Sequence, residues 1–102
     1  MKTLAQIRRE LATGQFEFSR HAFRRAAERN ISEGEIEEAG KHAEIIEDYP
    51  DDKYSPSALI LGFTTDGSPL HLQVSFADSE LTKIITIYRP APEQWFEFRK
   101  RR

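Results

Sequence analysis

His21, Arg25 and Arg29 stand at four-residue steps within SRHAFRRAAERNIS, residues 19–32. At about 100° per residue that spacing puts all three on one side of a helix. Ser19 is a suitable N-cap, so His21 falls in the first helical turn, where the dipole is positive. That field and the two arginines both favour the neutral imidazole, the form a general base needs. Arg25 and Arg29 could hold a phosphate through paired N–H donors in a way lysine cannot. The plain alternative is a solvated face, with Glu28 pairing Arg24 or Arg25 for a few tenths of a kcal/mol.

Two further groups could complete such a site. His71, Gln73 and Ser75 alternate with Leu70, Leu72, Val74 and Phe76 in LHLQVSF (70–76), so they share the polar side of a strand. A second imidazole facing His21 would supply what cleavage of an RNA phosphodiester requires. One group takes the 2′-hydroxyl proton and the other protonates the leaving 5′-oxygen. Thr86, Tyr88 and Arg89 close the last strand, where alternation puts Tyr88 on a face with Ile84 and Thr86. Tyr88 could stack a base or orient a phosphate. On this reading His21, His71, Arg25, Arg29 and Tyr88 are the catalytic candidates, and Arg24, Gln73, Thr86 and Arg89 the substrate contacts. The plain alternatives are the wet face of a half-covered sheet and a packing tyrosine.

Other chemistries lack their residues. His21, His42 and His71 stand among many acids, but no HExxH, HxH or Cys/His spacing points to a metal. No Gly-rich phosphate loop, serine elbow or dinucleotide fingerprint is present, so no cofactor is expected. The absence of cysteine excludes disulfides and thiolate chemistry and fits a reducing cytoplasm. MKTLAQIRRELATG has no apolar core of a signal peptide, and ALILGF is too short to span a bilayer. The net charge of −2 hides an asymmetry: residues 32–52 carry nine acids against Lys41, whereas residues 1–29 are basic and the chain ends FRKRR. Overall charge therefore says nothing about nucleic acid, while local charge allows a basic face. The acids of 33–52 would repel nucleic acid and could face a basic partner protein.

The elements that must position these residues are legible. Thr3 with Gln6 is a capping-box pattern opening a helix over about 3–13, which Gly14 stops. Phe16–Phe18 is a short strand. The second helix runs from Ser19 to about Arg29, its apolar side formed by Ala22, Phe23, Ala26 and Ala27. Asn30 suits a left-handed cap. Ser32 with Glu35 forms a second capping box, with Ile31 and Ile36 as a hydrophobic staple, opening a helix to about Gly40. The period then changes to two, with strands over 43–49, 58–64, 70–76 and 83–88 and a tight turn at DGSP (66–69). EQWFEFRKR is open between a short helix and an edge strand. The 102 residues suit one domain, α+β, with helices on one face of a four- to five-stranded antiparallel sheet.

SRHAFRRAAERNIS followed by EGEIEEAGKHAEIIEDYPDD resembles the bacterial family of domains of unknown function 4258. The likeness rests on His21-Ala22, Arg25, Arg29, Ile31-Ser32, the stretch Ile45 to Asp52, Pro69-Leu70-His71 and Thr86-Ile87-Tyr88. Asn30 replaces the family's usual glycine. The likeness covers about residues 15–90, with the first helix and residues 93–102 as additions. It implies kinship with RelE-type and barnase-type RNase toxins, and thus a toxin-like, metal-independent endoribonuclease. RNA and an antitoxin would be the partners. The alternative is a non-catalytic interaction or anion-binding module, in which the acidic helix docks a basic protein.

Overall fold

The computed structural model describes residues 1–102. Helix α1 (Leu4–Ala12) is followed by β1 (Phe16–Phe18), α2 (Arg20–Glu28), α3 (Glu33–Gly40), β2 (Glu44–Tyr49) and β3 (Ser57–Phe63). Strands β4 (Pro69–Ser75) and β5 (Thr82–Tyr88) follow, then a 3-10 turn at Pro92–Gln94 and a two-residue hairpin, β6 (Trp95–Phe96) with β7 (Lys100–Arg101). Each helix begins where a side-chain oxygen accepts from an otherwise orphaned N–H: Thr3 from Gln6, Ser19 from Ala22, Ser32 from Glu35. Only Ser32 forms the full reciprocal box, because Glu35 reaches back to the Ser32 N–H while the Gln6 amide turns to Glu10 instead. Asn30 takes the left-handed conformation (φ 54°) that ends α2.

The sheet runs β1-β5-β4-β3-β2. Strands β2 to β5 form the expected antiparallel meander, but β1 pairs parallel to β5, so the sheet is mixed rather than antiparallel. The reason is topological: α2, α3 and three strands separate β1 from the strand it joins. Ile7, Leu11, Ala22, Ile36, Ile60, Leu72, Val74, Ile84 and Ile87 meet in one core between the helices and one face of the sheet. Burial of each large aliphatic contributes roughly 1.5–3 kcal/mol. Gly62 permits the close approach of α3 to β3, since a Cβ there would strike the Ala39 carbonyl.

Two features decide what faces what. Strand β5 carries a register shift opposite Gln73 and Val74, so Ile84 and Ile87 both point into the core. Simple alternation would have grouped Tyr88 with Ile84; with Ile85 as the extra residue, Tyr88 pairs with His71 and Thr86 with Gln73 on the opposite face. The tail opens with one short 3-10 turn and then, instead of adding an edge strand, forms a separate two-stranded hairpin. The hairpin does not extend the main sheet but lies over the face away from the helices. Trp95 stands edge-on to the His71 ring at 4.4 Å, and Arg101 reaches Glu47 and Arg99 reaches Glu44.

Candidate functional site

Strand β1 is only three residues long, so β5 outruns it, and the chain turns at Ser19 into α2 alongside the uncovered part of β5. Ser19 holds this junction: its N–H donates to the Ile84 carbonyl (2.9 Å) and its hydroxyl to the Ile85 carbonyl (2.8 Å). The helix buries only a narrow strip, Ala22 and Ala26. Phe23, 64% exposed, and Ala27 stay outside the core, because an edge helix has one neighbour rather than a whole sheet beneath it. Phe23 instead meets the edge of Phe18.

This placement turns the four-residue row of α2 toward β5. His21, Arg25 and Arg29 line one open cleft of about 240 Å³ with Thr86, Ile87 and Tyr88. The side chains of His21 and Arg29 make no hydrogen bond or ion pair, and Arg25 has only a loose contact with Glu28 at 3.9 Å. Three donors thus face solvent with little competition from the protein's own acids.

His71 occupies a different environment from the one its strand pattern implies. It is 0% exposed, sealed by Trp95 and the C-terminal hairpin rather than lying on a wet face. Its Nε2 lies 2.7 Å from the Phe98 carbonyl and its Nδ1 3.0 Å from the Tyr88 hydroxyl. A carbonyl only accepts, so Nε2 carries the proton and Nδ1 accepts from Tyr88. Burial pushes the His71 imidazole below its ordinary pKa, only partly offset by the Phe98 carbonyl and the charge of Glu47. Burial likewise raises the Tyr88 phenol. His71 is therefore a neutral acceptor behind Tyr88, with both nitrogens engaged, and it cannot meet a substrate directly. Its effect on the cleft is to hold the Tyr88 ring in place through the hydrogen bond from the Tyr88 hydroxyl to Nδ1.

The other expected contacts divide. Thr86 lines the cleft. Gln73 does not: its amide donates to Asp52 and Ser57 (both 3.1 Å). Arg89 turns to α3, pairing Glu35 at 3.0 Å and the Asn30 carbonyl at 3.3 Å, so it braces the helix entrance. Arg24 is exposed and lies outside the cleft lining. The basic tail is largely spent on Glu44 and Glu47, and Arg8 on the Ala43 carbonyl. Much of the acidic stretch is spent as well, on Ser32, Arg89, the Thr65 N–H and the tail arginines. No three His, Asp or Glu side chains gather as metal ligands.

Sequence reasoning missed one buried element. Lys2, with its side chain 1% exposed, pairs with Glu10, which also accepts from Thr82 (2.8 Å) and Gln6 (2.9 Å). Burial acts to raise the Glu10 carboxyl, but the donors from Lys2, Thr82 and Gln6 outweigh it and hold it below the usual carboxylate range. Nothing in MKTLAQIRRE marks Lys2 as buried.

The profile of the domain of unknown function DUF4258 matches residues 18–89, from the end of β1 to the residue after β5. The chain belongs to the DUF4258 family. The match spans both walls of the cleft, α2 and β5, and omits α1 and the C-terminal hairpin. The shared part of this DUF4258 domain thus contains the cleft and His71, whereas the cover over His71 lies beyond it. No curated protein and no solved structure shows a match to the chain. No helix is long and apolar enough to cross a membrane.

Proposed function

We propose that this DUF4258 domain binds a phosphodiester of RNA in the α2–β5 cleft and cleaves it without a metal, as a toxin-like endoribonuclease. The observation that carries the reading is the convergence of His21, Arg25 and Arg29 with Thr86 and Tyr88 on one open cleft. In that reading Arg25 and Arg29 hold the phosphate and stabilise the charge it gains. Tyr88, held by His71, packs beside the phosphate and orients a base. His21 takes the 2′-hydroxyl proton as O2′ attacks phosphorus, and the P–O5′ bond breaks to leave a 2′,3′-cyclic phosphate. With His71 sealed, the departing 5′-oxygen takes its proton from water. The same reading places the chain in the bacterial cytoplasm, beside a neutralising antitoxin, with a RelE- or barnase-like ancestry.

One observation favours a second reading. The cleft holds a single accessible imidazole, so it is suited to binding an anion without cleaving it. Incubation of the protein with mixed single-stranded RNA in EDTA separates the two. The expected result is cleavage with 2′,3′-cyclic ends, lost in His21→Ala and reduced on the order of 100-fold in Arg25→Ala. No cleavage by folded wild-type protein sinks the ribonuclease reading and leaves the anion-binding module.

A further inference from the structure

We propose that a cavity adjoining the cleft is a stacking subsite for one nucleobase of single-stranded RNA, with Tyr54 as its platform. The proposal rests on the reading of the α2–β5 cleft as a phosphodiester site and names what lies next to that phosphate. The cavity, about 480 Å³, falls between the start of α2, strand β5 and the loop before β3. It shares His21 and Thr86 with the cleft, so the two spaces adjoin at these residues. A chain held at Arg25 and Arg29 enters this cavity directly on passing His21.

Tyr54 is 88% exposed. A tyrosine ordinarily buries much of its ring, and here only the Lys53 ammonium lies over it, 5.6 Å from the centroid, so the ring offers an open stacking face at the cavity. Its loop is braced. The Tyr54 N–H donates to Asp52 (3.3 Å), and Asp52 is anchored by Ser57 (2.7 Å) and Gln73 (3.1 Å). Lys83 also lines the cavity, held only by a loose 3.9 Å contact with Glu17, and its half-exposed ammonium can turn to the next phosphate.

The polar groups of the wall say how selective the subsite is. The Ser19 hydroxyl donates to the Ile85 carbonyl, the hydroxyls of Ser55 and Ser75 bond each other at 2.7 Å, and Asp52 is committed to Ser57 and Gln73. Few donors or acceptors remain to read a base edge. Stacking and charge therefore dominate, and both tolerate any base.

The test is calorimetric titration of the full chain with a mixed-sequence hexadeoxynucleotide, which lacks the 2′-hydroxyl and is not cleaved, and with inorganic pyrophosphate, which has no base. Tyr54→Ala is expected to weaken oligonucleotide binding on the order of tenfold and to leave pyrophosphate binding unchanged. Tyr54→Phe should bind both as wild type does. Arg25→Ala should weaken both ligands. If Tyr54→Ala binds the oligonucleotide as tightly as wild type while Arg25→Ala does not, the subsite is overturned and the phosphate cleft stands. If Arg25→Ala binds both ligands like wild type, the cleft reading falls and the subsite with it. Loss of pyrophosphate binding in Tyr54→Ala also overturns the proposal, because a stacking platform has nothing to offer a base-free anion.

Discussion

Acidification should weaken the fold through His71, well above the range where carboxylates titrate. In the native state the ring is fully buried, and burial lowers its pKa from 6.5. In the unfolded chain it titrates near that ordinary value. The sign follows: the unfolded state binds the extra proton first, so stability is complete above about pH 6.5 and falls as pH drops toward the folded pKa. One proton taken up only on unfolding gives a limiting slope of about 1.4 kcal/mol per pH unit. Trp95 is the chain's single tryptophan and stands 4.4 Å from the His71 ring, so its fluorescence reports this region without interference. Urea unfolding followed at Trp95 between pH 8 and pH 5 should show stability falling below about pH 6.5, with that limit as the ceiling on the slope from His71. His71→Gln keeps an amide donor and acceptor but does not titrate, and it should flatten the profile. A flat wild-type profile, or a slope that survives in His71→Gln, refutes the assignment of a buried neutral imidazole.

Two further outcomes test the frame that carries the cleft. Lys2→Met breaks the buried pair with Glu10 and should cost about 3–5 kcal/mol in urea unfolding at pH 7, with much of it restored in Lys2→Met with Glu10→Leu. Because the Glu10 pKa is lowered, its contribution is present above about pH 4.5 and lost as pH falls through the folded value. Ser32→Ala removes one half of the complete capping box and should cost about 1 kcal/mol by the same measurement.

The helices and the meander were legible because their signals are local. Ser19, Ser32 and Asn30 mark helix ends by side-chain chemistry that acts within three residues, and LHLQVSF alternates without interruption. What the sequence concealed depends on distant neighbours. The parallel β1–β5 pair joins segments separated by most of the chain. The bulge at Ile85 leaves no mark in KIITIY, yet it decides that Tyr88 and Thr86, not Ile84, face away from the core. His71 looked solvent-facing because its strand alternates, and no local pattern shows that Trp95 and Phe98 return to cover it. The row His21, Arg25, Arg29 was legible as a face of a helix; that it meets Thr86 and Tyr88 required the edge position of α2.

A protein of net charge −2 can still present a basic cleft, and the reason lies in where its charges are spent. Glu35 is held by the Ser32 cap and Arg89, Glu38 by the Thr65 N–H, and Glu44 and Glu47 by the tail arginines. These carboxylates stand on α3 and β2, and none of them lines the cleft. Around the cleft the balance is reversed: His21 and Arg29 have no acidic partner, and Arg25 has only Glu28 at 3.9 Å. Coulombic interactions between exposed charges in physiological salt decay over about 8 Å, so an anion in the cleft responds most to the cations that line it. The shortness of β1 is what makes this possible. Had β1 paired along all of β5, α2 would be displaced from the edge, and its arginines would face bulk solvent rather than Thr86 and Tyr88.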